Sequence, residues 1–328
     1  MNFGNLGHVE TADEYLDIAF RQAKLHAKEA KVVGTQFQRI QRRELDAIAT
    51  VARVLTKHLT LILEGFPKLD QLDPFYRELV RCVVDAAQVK QSLGGVNWGA
   101  HRVEAIFREF NDKFRGSRDE NALLAHKRAF FGRISSVIKK LKSDFAFLEE
   151  ARRTLTELPS IKTSVPTVVI AGFPNVGKST LLRALTGSAP EIAPYPFTTK
   201  QMMLGYRNHG KERWQFIDTP GLLDRPLHER NPIEKQAILA LQHLADAVLF
   251  VLDPTESCGY SIQDQKHLMK EVSRAMDVPV IIVLNKSDLA SREQMELAAQ
   301  NMQNAVIASA EEEKNIDHIV SAIGKALK

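Results

Sequence analysis

A bundle of α-helices followed by an α/β domain, with helices covering both faces of a mostly parallel sheet, is the architecture the sequence predicts. Three observations predict it. From Thr11 to about Pro159 apolar residues recur at intervals of three and four with few β-branched runs, which is the helical period. Beyond a short Pro/Ser/Thr connection at Ile161 to Pro166, short β-rich runs alternate with helical segments. Those runs are apolar at consecutive positions, so both faces of each strand need cover. The chain therefore divides into residues 1–163 and residues 164–328, and 328 residues with 44% apolar side chains suffice for two cores.

In the first part, breaks fall near Gly34, at Gly65-Phe66-Pro67, at Gly94-Gly95 and around Gly116-Ser117, which predicts four or five helices. The last is the longest, roughly Asn121 to Leu158. On a helical wheel Phe130, Phe131, Ile134, Val137, Ile138, Leu141, Phe145 and Leu148 fall within an arc of about 120°, so one face is core. Arg128, Lys139 and Lys142 flank that arc on one side, Arg133 and Lys140 on the other, and no acidic residue occurs between Glu120 and Asp144. Two readings stay open: basic stems framing a bundle seam, or a surface for a nucleic-acid phosphate backbone.

In the second part strands are predicted at Thr167–Ala171, Met203–Tyr206, Trp214–Ile217, Ala247–Leu252, Pro279–Leu284 and Ala305–Ala308. Helices are predicted at Lys178–Thr186, Pro232–Leu244, Ile262–Met276, Arg292–Gln303 and Asp317–Leu327. Asn231-Pro232 followed by Glu234 supplies an N-cap, a proline at the first helical position and a capping-box partner.

Composition excludes several classes. Two cysteines, Cys82 and Cys258, are too few and too far apart for a disulfide framework, and neither sits at zinc-ligand spacing. No leader-like segment and no membrane-length apolar run occurs, so the expectation is a reduced, cytoplasmic chain with no membrane partner. The net charge of +4 is uneven: residues 1–163 carry 27 Lys/Arg against 21 Asp/Glu, and residues 164–328 carry 17 against 19. Such an imbalance fits either a solvated surface or an anionic partner for the first part.

The chemistry is concentrated in the second part. After the first predicted strand comes Gly172-Phe173-Pro174-Asn175-Val176-Gly177-Lys178-Ser179-Thr180, a full match to GxxxxGK[ST]. Its backbone N–H groups and the following helix N-terminus point at a β-phosphate, Lys178 reaches the β/γ oxygens, and Ser179 offers its hydroxyl to Mg2+. Asp218-Thr-Pro-Gly221 follows the Trp214–Ile217 strand, placing Asp218 to hold Mg2+ and the Gly221 N–H to meet a γ-phosphate. Asn285-Lys286-Ser287-Asp288 closes the strongest apolar strand. A carboxylate at Asp288 accepts two hydrogen bonds from guanine N1–H and N2–H2, a donor pair adenine lacks, and this favours GTP/GDP over ATP. Asn285 would tie the base to the phosphate loop, the Lys286 stem would cover the purine face, and Ser309-Ala310-Glu311 would offer backbone N–H groups to guanine O6. These elements define a P-loop GTPase domain. In Tyr-Pro-Phe-Thr198-Thr199 a threonine can coordinate Mg2+ only while γ-phosphate is present.

GFPNVGKST, YPFTTK, DTPGLLDRPLHERNPIEKQ and NKSD, in that order, resemble the Obg-type branch of the translation-factor GTPases. The runs DRPLHERNPIEKQAI and DPTESCGYSIQDQ, behind a basic helical domain, are similar to the Nog1 family in an archaeal-sized form. The resemblance implies an Obg-type G domain at 164–328, with Thr199 rather than Thr198 as the switch ligand. It further implies a role in large (50S) ribosomal subunit biogenesis, with residues 1–163 docking on rRNA through Arg128, Arg133, Lys139, Lys140 and Lys142. Contacts made by the long C-terminal extension of eukaryotic members are not expected to carry over. Leu222 stands where Ras-like switches carry a water-orienting glutamine, so slow intrinsic hydrolysis is expected. Asn175 matches the position that helps bind K+ in potassium-stimulated relatives, and Arg225 is the rival group for stabilising charge on the phosphates. Lys178, Thr199, Gly221 and Asn175 are the catalytic candidates. Two other functions stay open: a GTPase acting on translation or stress through a protein partner only, and a nucleotide-locked binding module with negligible turnover.

Overall fold

Local signals start most of the helices. The computed structural model describes residues 3–29, 33–187, 189–193, 201–218, 220–226, 229–300, 302 and 304–328. Its first helices are α1 (Ala12–Glu29), α2 (Gln36–Gly65), α3 (Pro74–Val83), α4 (Ala86–Arg115), α5 (Glu120–Lys140) and α6 (Lys142–Thr156). Thr35 and Gln38 form a capping box at the start of α2, Asp85 accepts the N–H groups of Ala87 and Gln88 to start α4, and Asp119 accepts that of Ala122 to start α5.

Two expectations need correction. Gly94-Gly95 does not break the chain, because α4 runs through it and uses glycine for close packing. A Cβ on Gly95 would lie 2.8 Å from Asp144 Oδ2, and one on Gly99 2.6 Å from Leu141 Cδ1. The long helix from Asn121 to Leu158 is two helices that part at Leu141 (φ −86°, ψ 6°). Its apolar arc is nonetheless the buried face: Phe130, Ile134, Ile138, Leu141, Phe145 and Leu148 are all buried.

Contacts group the chain into two units. One holds residues 4–68 and 84–156, hence α1, α2, α4, α5 and α6. The other holds Phe3, Leu69–Val83 and Glu157–Lys328, so by contacts α3 groups with the sheet. The reason is local to that unit. Tyr76 is fully buried, meets Phe3 edge-on at 5.6 Å, donates its hydroxyl to the Ile161 carbonyl at 2.8 Å and accepts the Ile161 N–H at 2.7 Å. Burial pushes its phenol up to about 12.

The sheet unit contains β1 (Thr167–Ala171), α7 (Lys178–Thr186), β2 (Glu191–Ala193), β3 (Met202–His209), β4 (Glu212–Asp218), α8 (Pro232–Gln242), β5 (Ala247–Leu252), α9 (Ile262–Met276), β6 (Val280–Leu284), α10 (Arg292–Ala299), β7 (Val306–Ile307) and α11 (Ile316–Ala326). Strand order is β2-β3-β4-β1-β5-β6-β7. The β2–β3 and β3–β4 pairs are antiparallel; β4, β1, β5, β6 and β7 run parallel. Strands β1 and β5 are buried at every position, as strands covered on both faces must be. The sequence reasoning missed β2, a three-residue edge strand. No helix among the described residues is long and apolar enough to cross a membrane.

Candidate functional site

Five parallel strands end at the same edge of the sheet, and the functional side chains sit on those ends. Register pairs Ile170 with Asp218, Ala171 with Phe250, Leu252 with Leu284, and Leu284 with Ile307. The chain leaving β1 at Gly172, Asp218 of β4, Asp253 after β5, Asn285 after β6 and Ser309 after β7 are thereby brought to one crevice, where open α/β sheets take their ligands.

The loop 172–177 joins β1 to α7 and forms the floor of this crevice. Gly177 has φ +96°, and a Cβ there would strike the side-chain nitrogen of Asn285, so only glycine fits. Asn175 lies at the exposed tip in the left-handed region (φ +64°), which asparagine tolerates. Lys178 is buried, and its Nζ donates to the carbonyls of Gly172 at 2.9 Å and Phe173 at 2.7 Å. The ammonium is thus held over the loop by bonds that an anion can replace. Phe173 stacks on Tyr260 at 4.0 Å, fixing the loop's outer wall, while Val176 is fully buried. Pro174 and Thr180 are half-buried beside them.

Ser179 and Asp218 meet directly. The Ser179 hydroxyl donates to Asp218 Oδ2 at 2.8 Å, and Asp218 is fully buried. A hydroxyl and a carboxylate side by side are the hard oxygen donors that Mg2+ takes, so the pair fits that ion. Thr198 and Thr199 lie outside the described residues.

On the other side of the loop, Asn285 acts as a clamp. Its Nδ2 donates to the Val176 carbonyl at 2.9 Å, and its Oδ1 accepts the Ala310 N–H at 2.9 Å. The phosphate loop and the Ser309-Ala310-Glu311 turn are therefore tied through one side chain. Ser309 is buried, whereas Glu311 and Asp288 are exposed at the mouth.

Sequence reasoning missed what holds Lys286. Its Nζ donates to Asp253 Oδ2 at 2.7 Å and to Ser257 Oγ at 2.8 Å. Burial alone would raise the Asp253 carboxyl, but bonds from Lys286, Thr255 and Ser257 together hold it below its ordinary 3.8. The available signal was position, since an aspartate at the carboxyl end of a buried parallel strand faces the crevice just as Asp218 does. Asp224 and Arg230 were missed as well. Among the described residues they form a buried ion pair at 3.1 Å next to Gly221. Arg225, the rival cation, pairs with Glu234 at 2.8 Å instead of facing the phosphate loop alone. Glu234 also completes the predicted capping box, accepting the Asn231 N–H at 3.0 Å. Leu222 is buried.

The basic candidates in the helical unit divide. Arg133 donates to both oxygens of Glu109, at 2.7 and 2.8 Å, and Lys139 lies 3.7 Å from Asp13. Lys142 belongs to α6 and is exposed, lining a cleft shared by Glu10, Asp13, Glu14 and Glu150 and by Glu149 with its partners His8 and Arg153. Arg128 and Lys140 are exposed, with no ion pair among the described residues.

Known proteins match along the same lines. A family model described as NOG1 N-terminal helical domain matches residues 3–162, and one described as 50S ribosome-binding GTPase matches residues 167–286. An uncharacterized protein of Methanocaldococcus jannaschii is 42% identical over 248 residues, 76% of this chain and 69% of that protein. Nucleolar GTP-binding protein 1 of Caenorhabditis elegans is 37% identical over 294 residues, 89% of this chain and 43% of that protein. The protein of the same name from Encephalitozoon cuniculi is 34% identical over 325 residues, 97% and 61% respectively. The chain thus spans about half the length of the nucleolar relatives it matches.

Proposed function

Because this chain belongs to the Nog1 family of GTP-binding proteins, we propose that it is a GTP-hydrolysing switch acting in biogenesis of the large ribosomal subunit. The single observation that carries the nucleotide assignment is the Asn285 clamp, which joins the phosphate loop to the turn beside Asp288. The ribosomal role is supported by the description of the matched GTPase model and by the name of the nucleolar relatives.

In this reading the loop 172–177 and the N-terminus of α7 receive the β-phosphate, and Lys178 turns from the loop carbonyls to the β/γ oxygens. Ser179 and Asp218, with Thr199 as the switch ligand, would hold Mg2+, which would offset the negative charge on the phosphate oxygens. The Gly221 N–H meets the γ-phosphate. Asp288 accepts the guanine N1–H and N2–H2, while Lys286, pinned by Asp253, lays its stem along the base. Leu222 cannot orient water, so turnover by the isolated chain is slow and rises on the ribosomal partner. For K+, Asn175 would supply one side-chain oxygen beside the phosphates. Arg128, Lys140 and Lys142 remain the candidates for rRNA phosphate, whereas Arg133 and Lys139 each face a carboxylate first.

The test is sedimentation of the full chain with separated ribosomal subunits under GDP and under a nonhydrolysable GTP analogue, across a salt series. Nucleotide-dependent binding to the large subunit that weakens as salt rises is expected. No association with either subunit at low salt would remove the ribosomal reading.

A further inference from the structure

Asp224 and Arg230 form an ion pair whose arginine side chain is fully buried and whose aspartate is 7% exposed. Removing two opposite charges from water is expensive unless their remaining hydrogen-bonding capacity is used. Here most of it is used on Gly221 and its neighbourhood, with Arg230 Nε the one buried atom of the pair left without a partner among the described residues. Asp224 Oδ2 accepts the Gly221 N–H at 2.8 Å, and Arg230 Nη1 donates to the Gly221 carbonyl. Arg230 Nη2 reaches the Arg225 carbonyl at 3.1 Å besides Asp224. Gly221 itself has φ +93°, a conformation costly for other residues. The pair therefore holds both polar groups of the residue whose N–H is the proposed γ-phosphate donor.

An N–H has one hydrogen, and it is given at full strength to one acceptor at a time. We infer that Asp224 is a specificity-determining residue, its carboxylate occupying the Gly221 N–H in place of a γ-phosphate oxygen. The inference rests on the GTP-switch reading above. GDP, which has no γ-phosphate, leaves the Asp224–Gly221 bond intact. GTP must displace the carboxylate, which stays paired to Arg230 and is not left as a lone buried charge. The chain's affinity for GTP is lowered by that displacement while its affinity for GDP is not. Relative occupancy by the two nucleotides is thus set partly by a side chain that touches neither.

The test compares dissociation constants for GDP and for a β,γ-imido GTP analogue in the full chain, in Asp224→Asn, and in the double variant Asp224→Ala/Arg230→Met. The single variant swaps a charge-assisted acceptor for a weaker neutral one. The double variant removes both buried charges together, avoiding an unpaired arginine. Expected is a rise in analogue affinity of several-fold for the single variant and about tenfold for the double, with GDP affinity within about twofold. If both nucleotides weaken in parallel, or the ratio is unchanged in folded variants, the proposal is overturned and the switch reading stands. If neither variant folds by circular dichroism, the pair is a structural strut and the proposal is likewise overturned. If the wild-type chain binds neither nucleotide, the underlying switch reading fails instead.

Discussion

Asp253 carries a charge in a fully buried position, and five donors account for it: the N–H and hydroxyl of Thr255, the Ser257 hydroxyl, the Cys258 N–H and the Lys286 ammonium. A group so saturated fixes its partner, so Asp253→Asn should free the Lys286 head. At about 1.5–3 kcal/mol for a charge-assisted bond, GDP and GTP affinities should fall together by roughly tenfold or more, with base preference unchanged. Release rates of a fluorescent GDP would read this, and a change in the guanine-to-xanthine ratio would contradict it. Glu149 contributes to the pH dependence of the helical unit. Bonds from Arg152, with the Val9 N–H, Arg153 and His8, hold its carboxyl well below the ordinary 4.5. A depressed acid stabilises the fold fully above the unfolded value and loses that contribution as pH falls towards the folded one. In Glu149→Gln the urea midpoint should therefore be lower at neutral pH and should converge on the wild-type value below pH 4.5, where the carboxylate's advantage fades. At this scale Lys178, Ser179, Asp218 and Asn285 were legible because their motifs have fixed spacing and follow strands. Asp224, Arg230 and Asp253 were not, since their partners are set by how loops fold back.

Among the elements, periodicity located the buried faces better than the breaks between them. Strands β1, β5 and β6 could be read because runs such as Ala-Val-Leu-Phe-Val-Leu of β5 are too short for helices and apolar almost throughout. Helix ends in the first part were harder. Gly94-Gly95 looks like a stop but is helical, with Gly95 in close approach to Asp144 of α6, whereas the real stop before α4 is Asp85, a single capping residue. The grouping of helix α3 escaped notice because it is tertiary: Phe75, Tyr76, Leu79 and Val80 are buried, and the helix packs on α8 within the sheet unit. Tyr76 locks the chain leaving the helices to this element. Tyr76→Phe removes the partner of the buried Ile161 N–H and should cost about 1–3 kcal/mol. That lowers the melting temperature by roughly 2–4 °C per kcal/mol, readable by calorimetry; no shift would mean that the Ile161 groups find other partners.

At the scale of the whole chain, the two units are interleaved in sequence, since α3 lies between α2 and α4 yet groups with the sheet. A fragment beginning at residue 164 lacks α3 and the Tyr76–Ile161 lock, and it exposes the side of α8 that α3 covers. It should melt lower than the full chain and aggregate on heating, as light scattering would show; equal stability would mean that α3 contributes little. The same interleaving has a consequence for synthesis. The apolar face of α3 leaves the ribosome early, but its partner α8 begins at Pro232, roughly 150 residues after Val83. At about 5–20 residues per second that gap lasts on the order of 7–30 seconds. For that interval Phe75, Tyr76, Leu79 and Val80 have no native neighbour on α8, and the nascent chain must be kept from other hydrophobic surfaces until it arrives.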